Sequence, residues 1–126
     1  MKSVLIDSDI LIEVSRARDS GILAKWDSLS RGPTALFCSP VTVAELWHGA
    51  RQQEEDRILQ ALFSAVPSIP IDAEIGQRAG AYLRQFAKSH GVELGDALIA
   101  ATASLHDLQV WTRNRRHYPM KDLSFF

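Results

Sequence analysis

The chain has 126 residues, a formal net charge of −1, 46% hydrophobic and 23% charged residues. This is an ordinary soluble composition for one domain (residues 1–126) that buries roughly two-thirds of its unfolded surface. It excludes a global basic field, although a local cluster of cations is enough to hold phosphates at one face. The single Cys38 excludes an internal disulfide and reads as a small buried hydrophobe in Ala35-Leu36-Phe37-Cys38. No run of ~18 apolar residues is present, and Asp7 and Asp9 interrupt the opening apolar stretch, so neither a membrane span nor a signal peptide is expected. The expected compartment is the cytoplasm.

In chain order, residues 3–6 form an aliphatic run that predicts a first strand. Residues 10–18 and 22–30 read as helices, with Gly21 as the break between them. A second short strand is expected over 36–38. Ser39-Pro40 then signals a helix start, Ser as N-cap and Pro at the first helical position, for a helix running to about Ala50. Residues 54–66 carry an apolar stripe of Ile58, Leu59, Leu62, Phe63 and Val66 at helical spacing. Pro67 and Pro70 close that helix, and 69–71 suggests a short strand. Asp72 is the expected N-cap of a helix with Ile75, Ala79, Tyr82, Leu83 and Phe86 on its inner face, ended by Gly91. Residues 96–105 are apolar almost all round, the mark of a buried central helix, and 110–111 and 123–126 read as strands. Short strands alternating with helices predict an α/β domain around a mostly parallel sheet.

Three acids stand inside otherwise apolar stretches: Asp7, Glu45 and Asp96. A carboxylate drawn into a folded interior is costly unless a positive charge meets it. Two held ~4 Å apart repel by about 4 kcal/mol at an effective dielectric of ~20. Asp7 follows the first strand, Glu45 lies about one and a half turns into the helix after the second, and Asp96 opens a helix, where the macrodipole favours negative charge. In a parallel sheet these ends share one rim, where ligands bind. Hard oxygen donors suit Mg²⁺ or Mn²⁺, with Asp9 as a further candidate ligand. Each acid also has a plainer reading: Asp7, Asp9 and Asp96 as helix caps, Glu45 as a solvent-facing charge. His48, His90 and His106 read as ordinary polar residues, and Trp26 and Trp47 as core or interface residues.

Four segments in order carry a family likeness: Leu5-Ile6-Asp7-Ser8-Asp9-Ile10-Leu11-Ile12; Ser39-Pro40-Val41-Thr42-Val43-Ala44-Glu45-Leu46 with Gly49; Gly95-Asp96-Ala97-Leu98-Ile99-Ala100-Ala101-Thr102-Ala103; and Thr112-Arg113-Asn114 with His117-Tyr118. Over essentially the whole chain this resembles the PIN-domain endoribonucleases, specifically the VapC-type toxins of bacterial toxin–antitoxin pairs. The resemblance implies a parallel sheet flanked by helices, with Asp7, Glu45 and Asp96 as metal-binding and catalytic residues. It also implies a homodimer, a cognate antitoxin, and Mg²⁺- or Mn²⁺-dependent cleavage of single-stranded regions of RNA, often tRNA or ribosomal RNA. One position departs from the pattern: many relatives carry a fourth acid where this chain has His117. Thr112 and Asn114 are candidates to orient Asp7 or a metal-bound water. Arg113, Arg115, Arg116 and Lys121 form a local phosphate-binding edge, and His117 or Tyr118 is a candidate to stack on an unpaired base.

The expected reaction is in-line attack of an activated water on a phosphodiester, leaving a 5′-phosphate and a 3′-hydroxyl without use of the 2′-hydroxyl. A receiver-type signalling domain would need a further Asp after its third strand and a Lys after its last, and Trp111 is followed by Thr112-Arg113-Asn114 instead. A haloacid-dehalogenase-type phosphatase shares the Asp-x-Asp opening but expects a later lysine, an acidic pair and a longer chain. A PIN fold that binds RNA or a partner without cleaving is the third alternative.

Overall fold

The computed structural model describes residues 2–126. The aliphatic runs form four short strands, β1 (Val4–Ile6), β2 (Leu36–Phe37), β3 (Gln109–Trp111) and β4 (Ser124–Phe125), in one sheet of order β2-β1-β3-β4. Every pairing is parallel: Val4 faces Leu36 on one side and Gln109 on the other, Ile6 faces Trp111, and Val110 faces Phe125. The helices are α1 (Ser8–Arg16), α2 (Ser20–Arg31), α3 (Pro40–Gly49), α4 (Gln53–Ala65), α5 (Ala73–His90) and α6 (Leu94–Leu105). This is the expected α/β fold with a parallel sheet.

Strand alternation divides the core in two. Leu5 and Val110 join a cluster with Ile75, Ala79 and Tyr82 of α5 and the small residues Ala97, Ala100, Ala101 and Ala103 of α6. Val4, Ile6 and Trp111 point the other way, into a cluster with Ile10 and Leu11 of α1, Ile22 of α2, Leu46 of α3, and Leu59 and Leu62 of α4. Side chains alternate faces along a strand, so a strand covered on both faces must be apolar throughout. That is why Val4, Leu5 and Ile6 leave no polar position before Asp7.

Local caps move some expected boundaries. α1 starts at Ser8 because the Asp7 side chain accepts the Ser8 N–H at 2.8 Å, and it stops where Ala17 turns left-handed at φ 54°. Gly21 lies inside the first turn of α2; the break comes earlier, and Asp19 caps α2 by accepting the Ile22 N–H at 3.1 Å. Ser39 caps α3 through the Val41 N–H at 3.1 Å, Asp72 caps α5 through the Ile75 N–H at 2.9 Å, and Gly91 ends α5 at φ 65°. The strand expected over 69–71 reduces to an isolated parallel bridge between Cys38 and Ser68. Pro67 and Pro70 deny it the amide donors a longer ladder needs. Cys38 is fully buried, and burial pushes its thiol pKa up to about 12. Among the described residues no helix is long and apolar enough to cross a membrane.

Candidate active site

β1 is flanked by β2 on one side and β3 on the other, so its carboxyl end is the point where strand order reverses. A crevice opens at such a point in a parallel sheet. Asp7 sits there, its own N–H bonded to the Trp111 carbonyl at 2.9 Å, which ties it to the end of β3. Both of its oxygens are held: Oδ1 by the Ser8 N–H at 2.8 Å, and Oδ2 by the Thr112 hydroxyl at 2.9 Å. The Thr112 oxygen in turn accepts the Asn114 N–H at 3.0 Å. The loop after β3 therefore orients the first acid.

Asp9 lies one residue into α1 and is half-buried. Its Oδ2 accepts the Arg113 N–H at 3.0 Å, with the Arg113 Nε 4.0 Å away. Its Oδ1 is buried with no hydrogen-bond partner. Burial first, then the charge of Asp7, raises the Asp9 pKa against the pull of Arg113. Asp96, in the first turn of α6, accepts the Glu93 N–H at 3.2 Å. Burial raises its pKa as well; the Glu93 N–H and His117 pull it back, and Asp7 adds to the rise. Beside these acids the Tyr118 phenol is held firmly protonated, first by burial and then by the charges of Asp7, Asp96 and Asp9. Asp9 and Asp96 thus each feel the charge of Asp7, on top of the larger effect of burial.

Glu45 arrives from another direction. The sequence places it among inward-facing residues, but only Thr42 and Leu46 of α3 are buried, and Glu45 is exposed together with Ala44 and Trp47. Its Oε1 lies 2.8 Å from the Ser8 hydroxyl, which also stands 2.9 Å from the Thr42 hydroxyl. The link to Asp7 therefore runs through Ser8. Glu45 also borders a groove of about 410 Å³ lined by Ile12, Arg16, Arg18, Arg51 and Ile58.

The basic edge is partly committed within the chain. Arg113 reaches the buried Glu13 at 3.5 Å as well as Asp9, and Arg18 meets Glu13 at 2.8 Å. The Arg115 guanidinium lies 4.9 Å from the Phe125 ring centroid, while Arg116 and Lys121 are exposed. Tyr118 is 3% exposed and so is no platform for an unpaired base, because Met120 and the α6 cluster close over it. His117 ends a short 3₁₀ turn, Arg115–His117, within electrostatic reach of Asp96.

The donor set fits a hard divalent cation. It consists of carboxylate oxygens, one of them a buried acceptor with no partner. Among the described residues no three acidic, imidazole or thiol side chains converge to cage an ion. The fit is therefore to a cation held by one or two carboxylates, with waters and substrate phosphate completing its shell, the usual manner of Mg²⁺.

Ser8, Thr42 and Glu13 were not singled out by their sequence context. A signal for them exists: Thr42 precedes Glu45 by three residues and Glu13 follows Asp9 by four, so each pair shares a helix face.

A family model described as PIN domain matches residues 4–123. The chain is 41% identical over 124 residues to Ribonuclease VapC10 of Mycobacterium tuberculosis, covering 93% of this chain and 86% of that protein. It superposes on the crystal structure of FitAcB from Neisseria gonorrhoeae with a TM-score of 0.77 and 28% identity, covering 98% of this chain and 96% of the other. VapBC2 of Rickettsia felis, solved with a DNA fragment from its promoter, shares the fold at a TM-score of 0.81 and 18% identity, covering 98% and 96%. These matches displace the receiver and haloacid-dehalogenase readings.

Proposed function

This chain belongs to the PIN-domain family and to its VapC-type members, and from that premise we propose that it is a divalent-metal-dependent endoribonuclease, the toxin of a toxin–antitoxin pair. The observation that carries the reading is the group of Asp7, Asp9 and Asp96 at the reversal point of the sheet, with one buried oxygen unpartnered and two carboxyl pKa values raised. Relatives named as ribonucleases and toxins support the substrate class.

Bound Mg²⁺ or Mn²⁺ supplies charge neutralisation at the phosphoryl group and makes water a better nucleophile. Asp7 and Asp96 would hold it, with Asp9 and Glu45 as further donors. Asp7 comes to that task already oriented by Ser8 and Thr112. Arg116 and Lys121 are free to meet flanking phosphates, and Arg16, Arg18 and Arg51 line the groove beside Glu45. Attack of water on phosphorus breaks the P–O3′ bond and leaves a 5′-phosphate and a 3′-hydroxyl. His117 is half-buried and within electrostatic reach of Asp96, whose charged form it favours.

The protein, purified free of any antitoxin, should cleave RNA only when Mg²⁺ or Mn²⁺ is added. Asp7→Ala should lower the rate by at least roughly a hundredfold. RNA left equally intact by both proteins would overturn the reading and favour a PIN fold that binds without cleaving. A substrate with a 2′-deoxy sugar at the scissile position should still be cut, with 5′-phosphate ends. We also propose an antitoxin partner, as in the similar toxin–antitoxin complex from Klebsiella pneumoniae, and a homodimer, for which sedimentation should return twice the 14.0 kDa chain mass.

A further inference from the structure

Ser8 makes contact with two of the proposed catalytic carboxylates at once. Its N–H donates to Asp7 Oδ1 at 2.8 Å, and its hydroxyl lies 2.8 Å from Glu45 Oε1 and 2.9 Å from Thr42 Oγ1. A serine hydroxyl has one proton to give. A carboxylate is the stronger acceptor, so that proton goes to Glu45, in a charge-assisted bond. The Thr42 hydroxyl must then donate into Ser8, and its own placement is fixed, since Thr42 is fully buried in the first turn of α3. Ser8 is 7% exposed, so water competes poorly for either bond. Glu45 itself stands on an exposed helix face, where an unrestrained glutamate would sample several rotamers.

We propose that Ser8, directed by Thr42, is a positioning residue that fixes the Glu45 carboxylate relative to Asp7. The span from one acid to the other is then a single residue wide, its backbone amide on Asp7 and its side chain on Glu45. Thr42 acts only through Ser8, as the donor that leaves Ser8 no alternative orientation. This inference rests on the endoribonuclease reading for its consequence, but the restraint on Glu45 is a property of the chain itself.

Steady-state cleavage of a defined RNA, with Mn²⁺ saturating, tests the consequence. Ser8→Ala keeps the amide on Asp7 and removes the hydroxyl; kcat should fall roughly ten- to hundredfold with KM nearly unchanged, because a misplaced group costs rate rather than binding. Thr42→Val should lower kcat in the same sense, and Thr42→Ser, which restores the hydroxyl, should recover it. The double variant Ser8→Ala/Thr42→Val should be no slower than Ser8→Ala alone, since both changes break one chain of bonds. A wild-type kcat in Ser8→Ala, multiplied effects in the double variant, or a Thr42→Ser as slow as Thr42→Val would each overturn the proposal. A crystal structure of Thr42→Val or Ser8→Ala gives a second readout that needs no catalysis. Glu45 should leave the position it holds beside residue 8. A Glu45 carboxylate that stays in place defeats the proposal even if the wild type proves not to cleave RNA, whereas loss of cleavage by the wild type alone defeats only the nuclease reading.

Discussion

Asp96 is caught between two demands: its place in the first turn of α6 favours the anion, while burial and the charge of Asp7 disfavour it, and burial prevails to raise its pKa. The sign for stability follows. A carboxyl whose folded pKa lies above its unfolded value binds more protons folded than unfolded in the window between them, so it destabilises the fold as pH rises through that window. At neutral pH the full cost is present. Asp96→Asn should therefore raise the melting temperature at pH 7, and the gain over wild type should shrink as pH is lowered toward 4. A gain that stays constant across that range would show that charge is not the cause. Divalent cation should narrow the same gap at pH 7, since it would stabilise the charged wild type and not the amide. Asp7 and Asp96 were legible in the sequence because each directly abuts an apolar run that must be buried. Glu45 was legible as a site candidate but not in its surroundings. The neighbours Ala44 and Trp47 look like core by composition, yet α3 buries only the turn that bears Thr42 and Leu46. Tyr118 was misjudged for the converse reason: an aromatic next to three cationic or imidazole residues looks exposed, and the packing of a later loop that buries it leaves no local trace.

Elements whose ends are set by their own side chains were read closely. Ser39, Asp72 and Gly91 each act within three or four residues of where they stand, so the sequence carries the whole cause. Asp72→Ala removes an N-cap acceptor and should cost about 1 kcal/mol in urea denaturation. Gly91→Ala should cost a similar ~1 kcal/mol, because φ 65° is strained for a residue with a Cβ and no atom crowds that site otherwise. An unchanged midpoint for either variant would show that the neighbouring packing, and not the cap, ends the helix. The misread elements depend on distant partners. Residues 69–71 have strand-like side chains, but pairing goes no further than the bridge at Ser68 and the Ile69 N–H bond to the carbonyl of Cys38, which belongs to another segment. The break before α2 was assigned to Gly21, although Ala17, not a glycine, supplies the positive φ that ends α1.

Across the whole molecule, the candidate site draws on residues 7, 9, 45, 96 and 112, from segments far apart in sequence around a β1 that runs between β2 and β3. The fold class was legible from alternation of strands and helices; the strand order was not, because parallel pairing of strands two or three residues long leaves no register signal in sequence. Both core clusters draw on the C-terminal part of the chain, through Val110, Tyr118 and Met120 on one face and Trp111 on the other. A fragment of residues 1–105 should consequently lose cooperative unfolding by circular dichroism, and a sharp transition in that fragment would contradict the shared core.

The bond between Thr112 and Asp7 spans 105 positions. During synthesis the carboxylate of Asp7 is made 105 residues before the hydroxyl that aims it. Closing so long a loop waits until Thr112 itself has been made. Until then Asp7 has the Ser8 amide alone to orient it, so the geometry of this acid is completed only when β3 and the loop after it close onto β1.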